Sequence, residues 1–135
     1  MADDVLLNKA AAIERAVGRA REEYAGDDAN LLQNQTRQDA IILNLQRACE
    51  SSIDAAMHLV RIHRLGVPQE TREAFDLLEK SGQLDAALAT KLRKMVGFRN
   101  IAVHDYQKLS LDVVRSIVVE RLDDFLEFTA LLLRQ

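Results

Sequence analysis

The amino-acid sequence predicts an all-helical bundle, and three observations carry that prediction. Apolar residues recur at three- and four-residue steps through nearly every segment, with no competing strand-like alternation. Punctuation is sparse: one proline and five glycines in 135 residues leave room for long helices with few breaks. A hydrophobic content of 48% beside 29% charged residues belongs to a chain that buries a core rather than to a disordered tail.

A first amphipathic segment runs from Val5 to Tyr24, with Leu6, Ala10, Ile13, Val17 and Ala20 on one side, and Gly26-Asp27-Asp28 supplies its stop and turn. A longer segment starts near Asn30 or Thr36 and continues to Leu65. Its inward stripe is Ile42, Leu45, Ala48 or Cys49, Ser52 or Ile53, Ala56, Leu59 and Ile62. Gly66-Val67-Pro68 ends it, because glycine suits a helix C-cap and proline cannot continue the hydrogen-bond ladder. A short helix spans Thr71 to Lys80, with Ala74, Phe75 and Leu78 facing the core and Ser81-Gly82 closing it. A fourth helix starts near Leu84, carries Leu88, Leu92 and Met95 inward and ends near Tyr106. Ser110 caps the last helix, whose stripe is Leu111, Val114, Ile117 or Val118, Leu122, Phe125 and Thr129 or Leu132. The sum is four long helices and one short one.

The chain fits a single domain over residues 1–135, without internal repeat, linker or low-complexity stretch. A formal charge of -3 excludes a protein that coats nucleic acid through overall basicity, though not a local basic cleft. Cys49 is the only cysteine, so an intrachain disulfide and a cysteine metal cluster are both excluded. His58 and His63, five apart, do not form the same-face pair of a zinc helix, so a metal site is not expected, nor a cofactor. No apolar run approaches the roughly 20 residues that span a bilayer, so no membrane association is expected. The acidic start Met1-Ala2-Asp3-Asp4 lacks the basic beginning of a secretory signal. A cytoplasmic protein is therefore expected. Leu131-Leu132-Leu133 reads as bundle core, with burial in a dimer as the lesser alternative.

Chemistry concentrates in Gly97-Phe98-Arg99-Asn100-Ile101-Ala102-Val103-His104-Asp105-Tyr106. It sets a permanent cation, a titratable imidazole and a phenol within two helical turns. Arginine neutralises phosphate charge and histidine moves protons near neutral pH, which is the minimum equipment for cleaving a phosphodiester without metal. On a helix Arg99 and His104 stand about 140° apart and do not share a face, whereas Asn100 and His104 do. The two edges meet on one phosphate if the arginine curls inward, if the helix loosens after Val103, or if a second subunit adds its own copy; the last is favoured. His104 then serves as base or acid in attack of an RNA 2′-hydroxyl on its phosphate, Arg99 stabilises the charged oxygens, and Asn100 supports them by holding His104 or donating to phosphate. An arginine five residues before a histidine is a weak signal on its own.

Other polar groups carry plainer alternatives. Glu50, Asp54 and His58, four apart, form a polar edge that either orients the site or is simply solvated. Arg61, His63, Arg64, Lys91, Arg93 and Lys94 are phosphate contacts or ordinary surface charge.

The whole string has more specificity than the pair. Met95-Val96-Gly97-Phe98-Arg99-Asn100 followed by Val103-His104-Asp105-Tyr106 resembles the R-x4-H-x-Y motif of HepT-type toxins in the HEPN (higher eukaryote and prokaryote nucleotide-binding) superfamily. Ile53-Asp54 with His58, Pro68 before Glu73-Ala74-Phe75 and Leu78, and Leu122-Asp123-Asp124-Phe125 extend the likeness over most of the chain. The resemblance implies a HEPN-type up-and-down four-helix bundle with an additional short helix. It implies a metal-independent endoribonuclease toxin with Arg99 and His104 as catalytic pair, homodimeric, with RNA as substrate and transfer RNA the family-based guess. It further implies a minimal nucleotidyltransferase (MNT) antitoxin as partner in a larger complex, neutralising the toxin by transferring AMP from ATP to Tyr106. AMP there would set bulk and negative charge beside Arg99; the plainer alternative is a tyrosine whose ring caps the bundle with its hydroxyl in water. The rival function is a non-catalytic helical partner that positions substrate for the nucleotidyltransferase.

Overall fold

The computed structural model describes residues 3–135; Met1 and Ala2, the first half of the acidic start, lie outside the described residues. Seven helices succeed one another: α1 (Asp4–Tyr24), α2 (Asp28–Leu32), α3 (Gln35–Ile62), α4 (Thr71–Lys80), α5 (Ala86–His104), α6 (Leu111–Ser116) and α7 (Leu122–Leu133). A 3-10 turn (Tyr106–Lys108) comes after α5, and a π turn (Ile117–Arg121) joins α6 to α7 without a break, so the two form one long helix. Among the described residues there is no strand, and no helix is long and apolar enough to cross a membrane.

Most helices begin where a side chain accepts the orphan N–H groups of the first turn. Asp3 caps α1, Asp27 α2, Asn34 α3, Asp85 α5 and Ser110 α6. α4 lacks such a cap; instead Glu73 reaches back to accept from the Gln69 N–H at 2.9 Å. The expected long second segment is two helices, since Asn34 stops α2 from running on and starts α3 afresh, while buried Leu31 anchors α2. α3 ends earlier than Leu65. Arg64 takes a left-handed conformation (φ 54°) and the Leu65 N–H turns back to the Val60 carbonyl, which closes the helix before Gly66 is reached. Ile62, expected in the stripe, is consequently in the last turn and exposed. Of the paired alternatives, Ala48 and Cys49 are both buried, and Ser52 rather than Ile53 occupies the core. Leu131 and Leu132 belong to the core and Leu133 is exposed.

α1, α3, α5 and the α6–α7 helix form an antiparallel ring, each packing on the next and the last on the first. Side-chain pairs record the directions: Lys9 with Asp54 and His58 with Asp3 set the start of α1 against the end of α3, and Arg21 with Asp123 sets the end of α1 against the start of α7. α4 crosses α3 and α5 and sends Phe75 through to Phe128 of α7, the rings meeting edge-on at 6.1 Å. Such a pair adds about 1 kcal/mol to its burial, and it fixes α4 against the same bundle that carries α5.

Candidate active site

The C-terminal end of α5 carries the candidate residues. Phe98 and Ala102 are buried and set the helix's rotation, so Arg99 lies at the boundary and Asn100, Val103 and His104 face outward. Gly97 leaves room for the Arg72 side chain of α4: a Cβ there would stand 2.8 Å from Arg72 Nη2.

Arg99 is half-buried against α3. Its charge is felt by the buried Cys49 thiol, which burial and Glu50 push far up and Arg99 pulls back down. One Nη donates to Asn100 Oδ1 at 3.2 Å, while Nε is enclosed with no partner. The other Nη makes no hydrogen bond among the described residues and is the donor left for an acceptor. Asn100 thus supports Arg99 rather than fixing His104. His104 is the last residue of α5 and is exposed, and no described side chain hydrogen-bonds its ring. The helix stays intact through His104, so it does not loosen after Val103, and arginine and imidazole keep to separate edges of one chain.

Tyr106 is reached by a turn rather than by a continuing helix. Asp105 leaves helical geometry (φ -152°, ψ 51°), and the 3-10 turn folds the tyrosine back over the start of α3. Its hydroxyl donates to Asp39 Oδ1 at 3.0 Å, and the Gln35 amide donates to the same oxygen at 2.8 Å. The ring is 46% exposed and lines a cleft of ≈ 360 Å³ with Asp39, Ile42, Leu43 and Gln46. Burial first, then the Asp39 carboxylate, hold the phenol above its ordinary range. Asp39 and Gln35 had no place in the motif; they lie on another helix, and only the fold brings them to Tyr106.

The polar edge of α3 is committed elsewhere. His58 bonds Asp3, Asp54 pairs with Lys9, and Glu50 accepts from Gln46, so none of them orients His104. Of the cationic candidates, Arg93 bridges Asp76 and Glu79, His63 bonds Gln135, and Lys91 lies 3.6 Å from the buried Asp124. Lys94 makes no ion pair among the described residues. Lys91, Lys94, Lys108 and Arg121 edge a groove of ≈ 620 Å³ between α5 and the last helix, floored by Met95, Phe98 and Ile117. Among the described residues no three or more His, Cys, Asp or Glu side chains are grouped to hold a metal ion.

A family model described as "Ribonuclease HepT-like" matches residues 13–132. The chain belongs to the HepT-like ribonuclease family. It is 47% identical over 126 residues to the mRNA nuclease HepT of Shewanella oneidensis, covering 93% of this chain and 94% of that one. It superposes with a TM-score of 0.93 and 44% identity on a tri-AMPylated Shewanella oneidensis HEPN toxin in complex with an MNT antitoxin, covering 98% of this chain and 99% of that one. A toxin–antitoxin structure with AMP-PNP gives the same score and identity, covering 98% of this chain and 100% of that one. The HEPN-type bundle expected from the motif is therefore the fold of this chain, and α4 is its additional short helix. The HepT-like match takes in Arg99, Asn100, His104 and Tyr106, and also Asp39.

Proposed function

We propose that this chain is the toxin of a HEPN/MNT toxin–antitoxin pair: a cytoplasmic, metal-independent endoribonuclease that cuts RNA with Arg99 and His104. A nucleotidyltransferase antitoxin silences it by transferring AMP from ATP to Tyr106. The observation that carries the reading is the grouping at the end of α5 of a half-buried guanidinium with a free Nη, an exposed imidazole and a reachable phenol. It is supported by the relatives, one of them a nuclease and one a tri-AMPylated toxin bound to its antitoxin.

In the proposed reaction His104 takes the proton of an RNA 2′-hydroxyl as that oxygen attacks the adjacent phosphorus. Arg99 binds the equatorial oxygens, whose charge grows in the transition state, through its free Nη. The bond from phosphorus to the 5′-oxygen breaks as that oxygen takes a proton from the protonated His104 or from the same histidine of a second copy, giving a 2′,3′-cyclic phosphate and a 5′-hydroxyl. Single-stranded substrate suits this geometry, because a regular duplex resists the in-line approach. The separate edges of Arg99 and His104 favour a homodimer that completes the site. Ile101 and Val103, exposed apolar residues beside these groups, suit such a contact. Incubating the protein with RNA in excess chelator and reading product ends tests the proposal. Cyclic phosphate ends are expected with the wild-type protein and none with Arg99→Ala or His104→Ala. Cleavage that stops in chelator and returns with magnesium overturns it.

A further inference from the structure

The chemistry of silencing requires a proton acceptor at Tyr106, and we infer that Asp39 of this same chain is that acceptor, so that the toxin contributes a catalytic group to its own modification. The inference rests on the proposal that Tyr106 receives AMP. In that transfer the Tyr106 Oη attacks the α-phosphorus of ATP, the new Oη–P bond forms, and the bond from phosphorus to pyrophosphate breaks. The phenolic proton must leave as this happens, and the carboxylate already holding it stands at 3.0 Å. No water or side-chain rearrangement is needed to begin the transfer.

The energetic order supports a late transfer. In the ground state the phenol keeps its proton, because a phenolate is a far stronger base than a carboxylate. Once Oη begins to bond phosphorus it becomes strongly acidic, and a carboxylate in contact is then a competent base. Gln35 keeps it in place: its amide donates to the same Asp39 oxygen at 2.8 Å and also to Gln38 at 3.2 Å, so the carboxylate is held from the α3 side. The hydrogen bond in turn fixes Tyr106, whose ring would otherwise swing on a short exposed turn. Asp39 and Tyr106 are both exposed and border the ≈ 360 Å³ cleft, so a nucleotidyltransferase can present its nucleotide there. The acceptor lies far from Tyr106 in sequence, and its place beside the phenol comes from the antiparallel pairing of α3 and α5.

The test measures AMP incorporation with intact toxin, its cognate nucleotidyltransferase, ATP and magnesium, tracking pyrophosphate release and the added mass. Asp39→Asn keeps a hydrogen-bond acceptor but not a base. It should lower the transfer kcat by about 100-fold, the usual worth of a positioned base, with KM for the toxin changed less than about twofold. Asp39→Glu should restore much of the rate. An Asp39→Asn protein modified at the wild-type rate overturns the inference and assigns the base to the other enzyme. A variant whose loss lies wholly in KM overturns it too, making Asp39 a docking group. Wild-type protein that gains no AMP, or gains it equally as Tyr106→Phe, overturns instead the assignment of Tyr106 on which this one rests.

Discussion

One carboxylate, Asp28, joins three helices at a corner of the bundle. It accepts from the Tyr24 hydroxyl at the end of α1 and from Arg115 Nε of α6 at 2.9 Å. The Tyr24 bond first, then Arg115, hold the Asp28 carboxyl below its ordinary 3.8, while the same bond, then burial, hold the Tyr24 phenol above its ordinary 10.0. A lowered carboxyl contributes stability that is complete above the unfolded-state value and is lost as pH falls through the folded one. A raised phenol contributes stability that is complete below its unfolded-state value and lost as pH rises through the folded one. The corner is therefore strongest between these limits. Asp28→Asn should flatten the acid limb of the urea midpoint measured from neutral pH down to about 2, the range over which such carboxyls titrate. Asp3, lowered chiefly by its bond to His58, leaves an acid step of the same sign in that variant. An acid limb identical to wild type would mean that Asp28 does not couple the corner to pH. Neither this corner nor the Asp39–Tyr106 pair was legible in the sequence. Arg99, His104 and Tyr106 stood out because they share one short segment, whereas Asp28–Arg115 and Asp39–Tyr106 join residues distant in the chain and carry no local pattern.

At the level of helices, propensity and close packing decide what each position tolerates. Gly18 lies in mid-α1, where a Cβ would meet nothing within 4 Å. Glycine in a helix interior is about 1 kcal/mol less favourable than alanine. Gly18→Ala should therefore raise stability by about that much, read as a higher urea midpoint with unchanged slope; a lower midpoint would mean that the site is packed more tightly than its geometry indicates. The helices themselves were legible where apolar spacing is regular: α1, α4 and the body of α3 and α5 match their expected stripes. Boundaries were less so, because Arg64, not glycine, adopts the left-handed conformation that closes α3, and Asn34 acts as a cap inside a polar stretch. The last helix explains another ambiguity. Ile117 and Val118 could not be separated by a 3.6-residue period, and both are buried, because the π turn inserts an extra residue and turns two successive side chains inward. Beyond it the expected Leu122, Phe125, Thr129 and Leu132 are all buried, and Phe128, three residues after Phe125 on the same face, joins them.

For the molecule as a whole, the decisive question is how Arg99 and His104 reach one phosphate. An unbroken α5 keeps them on edges about 140° apart, and Arg99 is packed toward α3 while His104 faces solvent at the helix end. A rigid bundle does not bend one edge toward the other, since its core is close-packed on both sides of α5. In the proposed nuclease a twofold axis near Val103 would bring the guanidinium of one protomer to the imidazole of its partner and double the local cationic charge in a chain that is acidic overall. Such an arrangement predicts complementation. Arg99→Ala and His104→Ala proteins should each be inactive alone. Mixed and allowed to exchange subunits, they should form heterodimers in which one of the two shared sites holds both groups and the other holds neither. With random exchange, roughly half of the dimers are mixed and half of their sites are intact, so cleavage should recover to roughly a quarter of the wild-type rate. The same mixture held below the exchange concentration, or with Val103→Glu added to both chains to repel the partner, should stay inactive. A mixture that gains nothing despite demonstrated exchange would place both groups of each site within one subunit, and α5 would then have to deform when RNA binds.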